Sequence, residues 1–244
     1  MTHRGIFILS LAFNFAFILG SAFLLLFRGG LVPFETWLGL HPPNKLRHPL
    51  VSVKYGANTL VNQRHYDVVF IGDSHTDFFQ WSQYFRRTSC SNQGISGDTT
   101  EGVLRRLDQV RSDTPDKVFL MVGVNDLRHG RTVGQTERGY REIVRRLIRE
   151  NPQTGIYVQT IFPVNDKKYP LYFPQNPVAL NHEINQMNRW IAGLPKQYSR
   201  LMLIDNRPIL DEKGQLPARM TVDGLHLSSR GYEKWTAHLT RYVY

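Results

Sequence analysis

Residues 67–75 read DVVFIGDSH: a compact apolar run from Asp67 to Ile71, closed by Gly72 and followed by Asp73, Ser74 and His75. A run that short and that rich in β-branched and aromatic side chains suits a strand buried on both faces, and the glycine marks the turn that ends it. The pattern recurs three times downstream. Lys117 to Val124 (KVFLMVGV) ends at Asn125-Asp126, Gly155 to Phe162 (GIYVQTIF) is closed by Pro163, and Leu201 to Ile204 (LMLI) by Asp205-Asn206. Between these runs lie helical patterns over 100–110, 135–149, 180–191 and 228–242. The second of them places Tyr140, Ile143, Val144 and Leu147 on one stripe. Strands alternating with amphipathic helices predict an α/β domain with a parallel sheet covered on both faces. In such sheets ligands bind beyond the carboxyl ends of the strands, so the polar residues just after each run are the candidates for chemistry.

After the first run, Ser74 sits in a tight turn of the kind that presents a nucleophile above an α/β sheet, although Gly-Asp-Ser is also ordinary turn and helix-capping sequence. A serine hydroxyl needs a base within hydrogen-bond reach, and the base needs a partner that fixes its tautomer. Asp223 and His226, three residues apart around Gly224, can supply both from one loop; alone they read equally as a turn aspartate and a surface histidine. Acyl transfer also needs donors for the oxyanion. Gly97, within Asn92 to Thr100 (NQGISGDTT), offers an unobstructed N–H, and Asn125 a side-chain amide; singly they read as a turn glycine and a helix cap.

Taken together and in this order, Gly72-Asp73-Ser74, Asn92 to Thr100, Gly123-Val124-Asn125-Asp126 and Asp223-Gly224-Leu225-His226 resemble the SGNH or GDSL hydrolase family. The resemblance spans about Asp67 to Tyr244. It implies a three-layer α/β/α sandwich of flavodoxin-like type with a five-stranded parallel sheet. It also implies Ser74 as nucleophile, His226 as base and Asp223 as its orienting acid. The oxyanion hole would then be made by the backbone of Ser74 and Gly97 with the Asn125 side chain; Gly97 is preferred to Gly94 because it directly precedes Asp98. His75 stands where the family often has leucine, and no chemistry is assigned to it. Leu180 to Trp190 and Tyr232 to Trp235 are similar to the small acetylhydrolase branch of the platelet-activating-factor acetylhydrolase type, which implies short acyl esters.

The composition is that of a globular chain of 244 residues, 41% hydrophobic and 20% charged. Thirty Lys and Arg against 20 Asp and Glu give a formal charge of +10. Many of the arginines (Arg105, Arg106, Arg111, Arg138, Arg141, Arg145, Arg146, Arg149) fall in helical patterns and read as solvated helix faces. An anionic membrane surface or envelope polymer is therefore a more economical attractor than nucleic acid, which is not expected as a partner. The single cysteine, Cys90, excludes an intrachain disulfide and reads as a small buried hydrophobe. No Cys/His cluster has metal-ligand spacing, and the expected mechanism requires neither metal nor organic cofactor.

Ile6 to Phe27 runs 22 residues without a charge, roughly 33 Å as a helix at ~1.5 Å per residue, enough to span a bilayer. A cleaved signal peptide is the competing reading, with a small-x-small site at Gly20-Ser21-Ala22. The expected organisation is a membrane anchor over 1–28, a linker arm over 29–64 rich in Pro, Gly and aromatic residues, and a hydrolase domain over 65–244 on the extracytoplasmic side. The expected activity is hydrolysis of short-chain acyl esters, acetyl esters among them, of a small alcohol, a lipid or a sugar. The rivals are an O-acyltransferase acting on an envelope polysaccharide and a catalytically silent binding module on the same scaffold. Oligomeric state is not read from the sequence.

Overall fold

The computed structural model describes residues 65–169, 173 and 175–244. The expected membrane span and linker arm lie outside the described residues. Among the described residues no helix is long and apolar enough to cross a membrane.

Five strands, β1 (Val68–Gly72), β2 (Cys90–Gly94), β3 (Lys117–Met121), β4 (Gly155–Gln159) and β5 (Leu201–Ile204), form one sheet of order β2-β1-β3-β4-β5. Every neighbouring pair is parallel. Among the described residues eight α-helices punctuate it: α1 (Ser74–Asp77), α2 (Trp81–Tyr84), α3 (Thr100–Arg105), α4 (Leu107–Ser112), α5 (Val124–Arg128), α6 (Val133–Glu150), α7 (Pro177–Gly193) and α8 (Ser229–Val243).

Side chains of β1, β3, β4 and β5 enter two separate cores. Val69, Ile71, Val118, Leu120, Ile156 and Val158 pack with Tyr140, Ile143, Val144 and Leu147 of α6 and with Leu180, Ile184, Met187 and Ile191 of α7. Val68, Phe70, Phe119 and Met121 face the other way, against Trp81, Phe85 and the Trp235, Leu239 and Val243 stripe of α8. Phe70 and Trp81 stack with centroids 3.9 Å apart. Each such aliphatic or aromatic side chain contributes roughly 1.5–3 kcal/mol on leaving water, which is why both faces of the sheet must be covered. The three layers follow from this alternation.

Four differences from the sequence reading have physical causes. Strand β2, CSNQG, is an edge strand too polar to show a hydrophobic period. Strand β3 stops at Met121 because Gly123 takes φ +130° and the chain turns into α5, which carries Asn125. The helix expected over 100–110 breaks at Arg106 (φ −121°, ψ 13°). There the side chain turns into the protein, so Arg106 is 1% exposed and does not lie on a solvated helix face. Cys90 is buried as expected, and burial pushes its thiol up to about 12.

Candidate active site

The carboxyl end of β1 delivers Asp73 as the N-cap of α1, its carboxylate accepting from the His75 N–H, and Ser74 as the first helical residue. Across the mouth of the sheet, the segment 221–227 folds back on itself. Thr221 Oγ1 donates to the His226 carbonyl at 2.7 Å and accepts from the Gly224 N–H at 2.8 Å. Gly224 adopts φ +90°, and a Cβ there would lie 2.4 Å from the Tyr169 nitrogen, so only glycine fits.

That turn aims the histidine. Asp223 Oδ1 accepts from the N–H groups of Leu225 (2.9 Å) and His226 (2.7 Å), while its Oδ2 lies 2.7 Å from His226 Nδ1. Since the carboxylate only accepts, Nδ1 carries the hydrogen and Nε2 of the neutral ring presents a lone pair. Nε2 lies 3.1 Å from Ser74 Oγ, across 152 positions of sequence. Partial burial alone would raise the Asp223 carboxyl, but the side-chain and backbone hydrogen bonds from His226, with that from Leu225, hold it well below the usual carboxylate range. An ionised aspartate, a tautomerically fixed imidazole and a hydroxyl in line are the arrangement that lets a serine lose its proton as it attacks.

The candidate oxyanion donors follow three strand ends, Ser74 after β1, Gly97 after β2 and Asn125 after β3. Among the described residues, neither the Ser74 N–H nor the Gly97 N–H has an acceptor. Gly97 is exposed and holds φ +77°, with nothing within 4 Å of where a Cβ would sit. Its glycine is therefore demanded by the backbone and not by crowding. Asn125 is 2% exposed; its Nδ2 spends one hydrogen on the Asp98 carbonyl at 3.0 Å, leaving the second available.

Several residues that sequence reasoning passed over hold this frame. Arg106 donates to Asp98 Oδ2 (2.8 Å), to the Gln93 carbonyl (2.6 Å) and to the Gly72 carbonyl (3.0 Å), joining the ends of β1 and β2 to the turn that carries Gly97. Asp126, fully buried, accepts from the Thr100 N–H and hydroxyl and from Arg131. Arg128 donates to Asn125 Oδ1 (2.9 Å) and to the Tyr169 hydroxyl (3.1 Å) and stacks over Phe173. This fixes which end of the Asn125 amide faces Asp98. His75, 1% exposed, touches Asp73 and the Leu225 carbonyl. An arginine interrupting an apolar helical stripe was the one available sign of Arg106; the others show no pattern in sequence. Phe78, 56% exposed with its ring 5.4 Å from that of His226, lies on the rim.

His65, Asp67 and Asp116 bring their ligand atoms within 4.8 Å of one another, but at the amino ends of β1 and β3, away from Ser74.

Comparison with known proteins gives the family. Residues 70–234 match the model of the GDSL-like lipase/acylhydrolase family. The chain is 30% identical over 174 residues to human platelet-activating factor acetylhydrolase IB subunit alpha2, covering 69% of this chain and 72% of that protein. It is also 30% identical over 173 residues to the rat alpha1 subunit, covering 68% and 70%. Among solved structures, a Streptococcus pneumonia protein provisionally described as a platelet activating factor is 26% identical with a TM-score of 0.72, over 88% of this chain and 98% of that one. A GDSL-like lipase from Bacteroides thetaiotaomicron shares the fold at 18% identity, TM-score 0.67, over 79% and 96%. A family match that spans all four sequence blocks, relatives aligned over two thirds of the chain, and a shared five-stranded fold lead to one conclusion: the chain belongs to the GDSL-like lipase/acylhydrolase family and is a hydrolase of ester bonds.

Proposed function

We propose that this chain is a serine esterase for short-chain acyl esters, acetyl esters among them, working through Ser74, His226 and Asp223. The observation that carries the reading is the unbroken relay from Asp223 Oδ2 to His226 Nδ1 and from Nε2 to Ser74 Oγ, at 2.7 and 3.1 Å. Ser74 Oγ attacks the ester carbonyl carbon as His226 Nε2 takes its proton. The carbonyl oxygen, now carrying the charge, is received by the N–H groups of Ser74 and Gly97 and by the free Asn125 Nδ2 hydrogen. Collapse of the intermediate breaks the bond to the alcohol oxygen, and His226 returns the proton to that alcohol. Water, deprotonated by His226, then releases the acyl group and restores Ser74.

The similarity to platelet-activating factor acetylhydrolase IB subunits supports a small acyl group on a lipid-like or otherwise small alcohol. Rates on p-nitrophenyl esters of increasing acyl length test it. The expected result is highest kcat/KM at two to four carbons, on the order of the methylene-by-methylene discrimination a small pocket gives; a rising rate toward long chains contradicts it.

The same proposal places the esterase on a membrane, held by a single span over residues 6–27 with the catalytic domain on the extracytoplasmic side. The support is the uncharged run itself. The protein is expected to stay with membranes through alkaline carbonate washing and to require detergent for release; release by carbonate contradicts the anchor.

A further inference from the structure

The helix that opens on Ser74 holds a second histidine that the relay does not use. His75 is 1% exposed, with Nδ1 3.2 Å from Asp73 Oδ1 and Nε2 2.9 Å from the main-chain carbonyl of Leu225. A carbonyl only accepts, and so does a carboxylate. A neutral imidazole has one N–H and cannot serve both, so the ring needs protons on both nitrogens. Asp73 Oδ1 also accepts from the His75 N–H as it caps α1.

Burial by itself would lower the proton affinity of the ring, but the hydrogen bond and charge of Asp73, with the Leu225 carbonyl and the more distant Asp223, raise it above the ordinary histidine range. The other groups facing it are the His226 ring, with centroids 6.0 Å apart, and the Phe162 ring at 5.6 Å. The Tyr232 hydroxyl donates to the His75 carbonyl at 2.9 Å and holds the backbone from α8.

Leu225 is the residue immediately before His226. The contact of Ser74 with His226 is therefore flanked by a second bridge, from His75 to Leu225, one step along each segment. The first is a single bond that must break and form during each turnover. The second is buried and charge-assisted and does not take part in proton transfer, and it too runs directly from a side chain of the nucleophile helix to the loop that carries the base.

We propose that His75, held as an imidazolium between Asp73 and the Leu225 carbonyl, is a positioning residue that fixes the His226 loop against Ser74. This rests on the Ser74–His226 reading given above. Loosening it should misplace the base without touching the substrate, and displacements of ~1 Å in such relays can cost about 10²-fold in rate.

Three variants of the full-length chain separate the two bonds. His75→Gln can still reach the Leu225 carbonyl, His75→Asn can reach only Asp73, and His75→Leu reaches neither. With p-nitrophenyl acetate, kcat is expected to fall roughly 10–100-fold in His75→Asn and His75→Leu while KM stays within about twofold, with most of the rate retained in His75→Gln. Wild-type kcat in His75→Asn, or losses that follow melting temperature across the three variants, would overturn the proposal. A second readout needs no variant: in the wild-type chain labelled with 15N-histidine, both His75 nitrogens should be protonated at about pH 8. A ring carrying one proton there overturns it as well. Fluorophosphonate labelling keeps the two readings apart. An unlabelled wild type sinks the Ser74 mechanism, whereas a labelled wild type matched in rate by His75→Asn sinks only the positioning role.

Discussion

Asn125 donates its side-chain amide to the main-chain carbonyl of Asp98 at 3.0 Å, tying the end of β3 to the residue that follows Gly97. Two candidate oxyanion donors from separate strand crossings are thus set at a fixed spacing before any substrate arrives. Preorganisation of this kind is the source of the catalytic advantage, since donors already in place need no reorganisation as charge develops. Asn125→Ala is expected to lower kcat by about 10²–10³ with a much smaller change in KM. Steady-state kinetics with a short p-nitrophenyl ester measure it, and an unchanged kcat removes Asn125 from the hole.

Arg128 grips the opposite end of the same amide, through Asn125 Oδ1 at 2.9 Å. Arg128→Leu should therefore reduce kcat in the same direction as Asn125→Ala, by a smaller factor, because the amide is freed to rotate but not removed. In the double variant the two losses should fail to add, as expected for residues acting through one contact. Additive losses would show that Arg128 acts on something other than Asn125.

The buried pair of Arg106 and Asp98 is a stability element. Replacing Arg106 by leucine removes the charge partner of the Asp98 carboxylate and the guanidinium donor to the Gln93 carbonyl, and leaves the Gly72 carbonyl with the Ile95 N–H. A loss of roughly 3–5 kcal/mol is expected, as for other broken buried pairs. Adding Asp98→Asn should recover part of it by removing the orphaned charge. Urea unfolding at neutral pH reads both; a loss below about 1 kcal/mol contradicts the assignment.

Much of this molecule is legible before folding. The apolar runs that became β1, β3, β4 and β5 announce themselves because each sends apolar side chains into both cores, and the α6 stripe shows its period because one face of the helix is buried. Ser74 and Asn125 stand just after two of those runs and Asp223, Gly224 and His226 in the segment beyond the last, where chemistry on such a sheet lies, while Gly97 follows the unread β2 and was legible only through the block that holds it. What could not be read is what depends on long-range pairing. Arg106 resembles its solvated neighbour Arg105 until the helix breaks and turns it inward. His75 looks like any residue after a serine, because its two partners lie in the turn before it and 150 positions away. Strand β2 lacks a period because Ser91, Asn92 and Gln93 make its middle polar.

The pH dependence follows from Asp223. Its folded-state proton affinity is lowered by the bonds from His226 and Leu225, so it contributes stability above the ordinary value of 3.8, and that contribution is lost as pH falls through the lowered folded value. Asp223→Asn should therefore be less stable than wild type near neutrality, and the gap should close on acidification below about pH 4. Melting temperatures of the two proteins across that range decide it; a gap that widens in acid has the wrong sign.

The central claim is that Ser74 is the atom source of a covalent acyl-enzyme. Reaction of the full-length chain with a fluorophosphonate, followed by peptide mass mapping, tests it most directly. The adduct is expected on Ser74 alone, lost in Ser74→Ala and slowed in His226→Ala, with esterase activity falling in step with labelling. A label on another residue, or an active Ser74→Ala enzyme, would contradict the account.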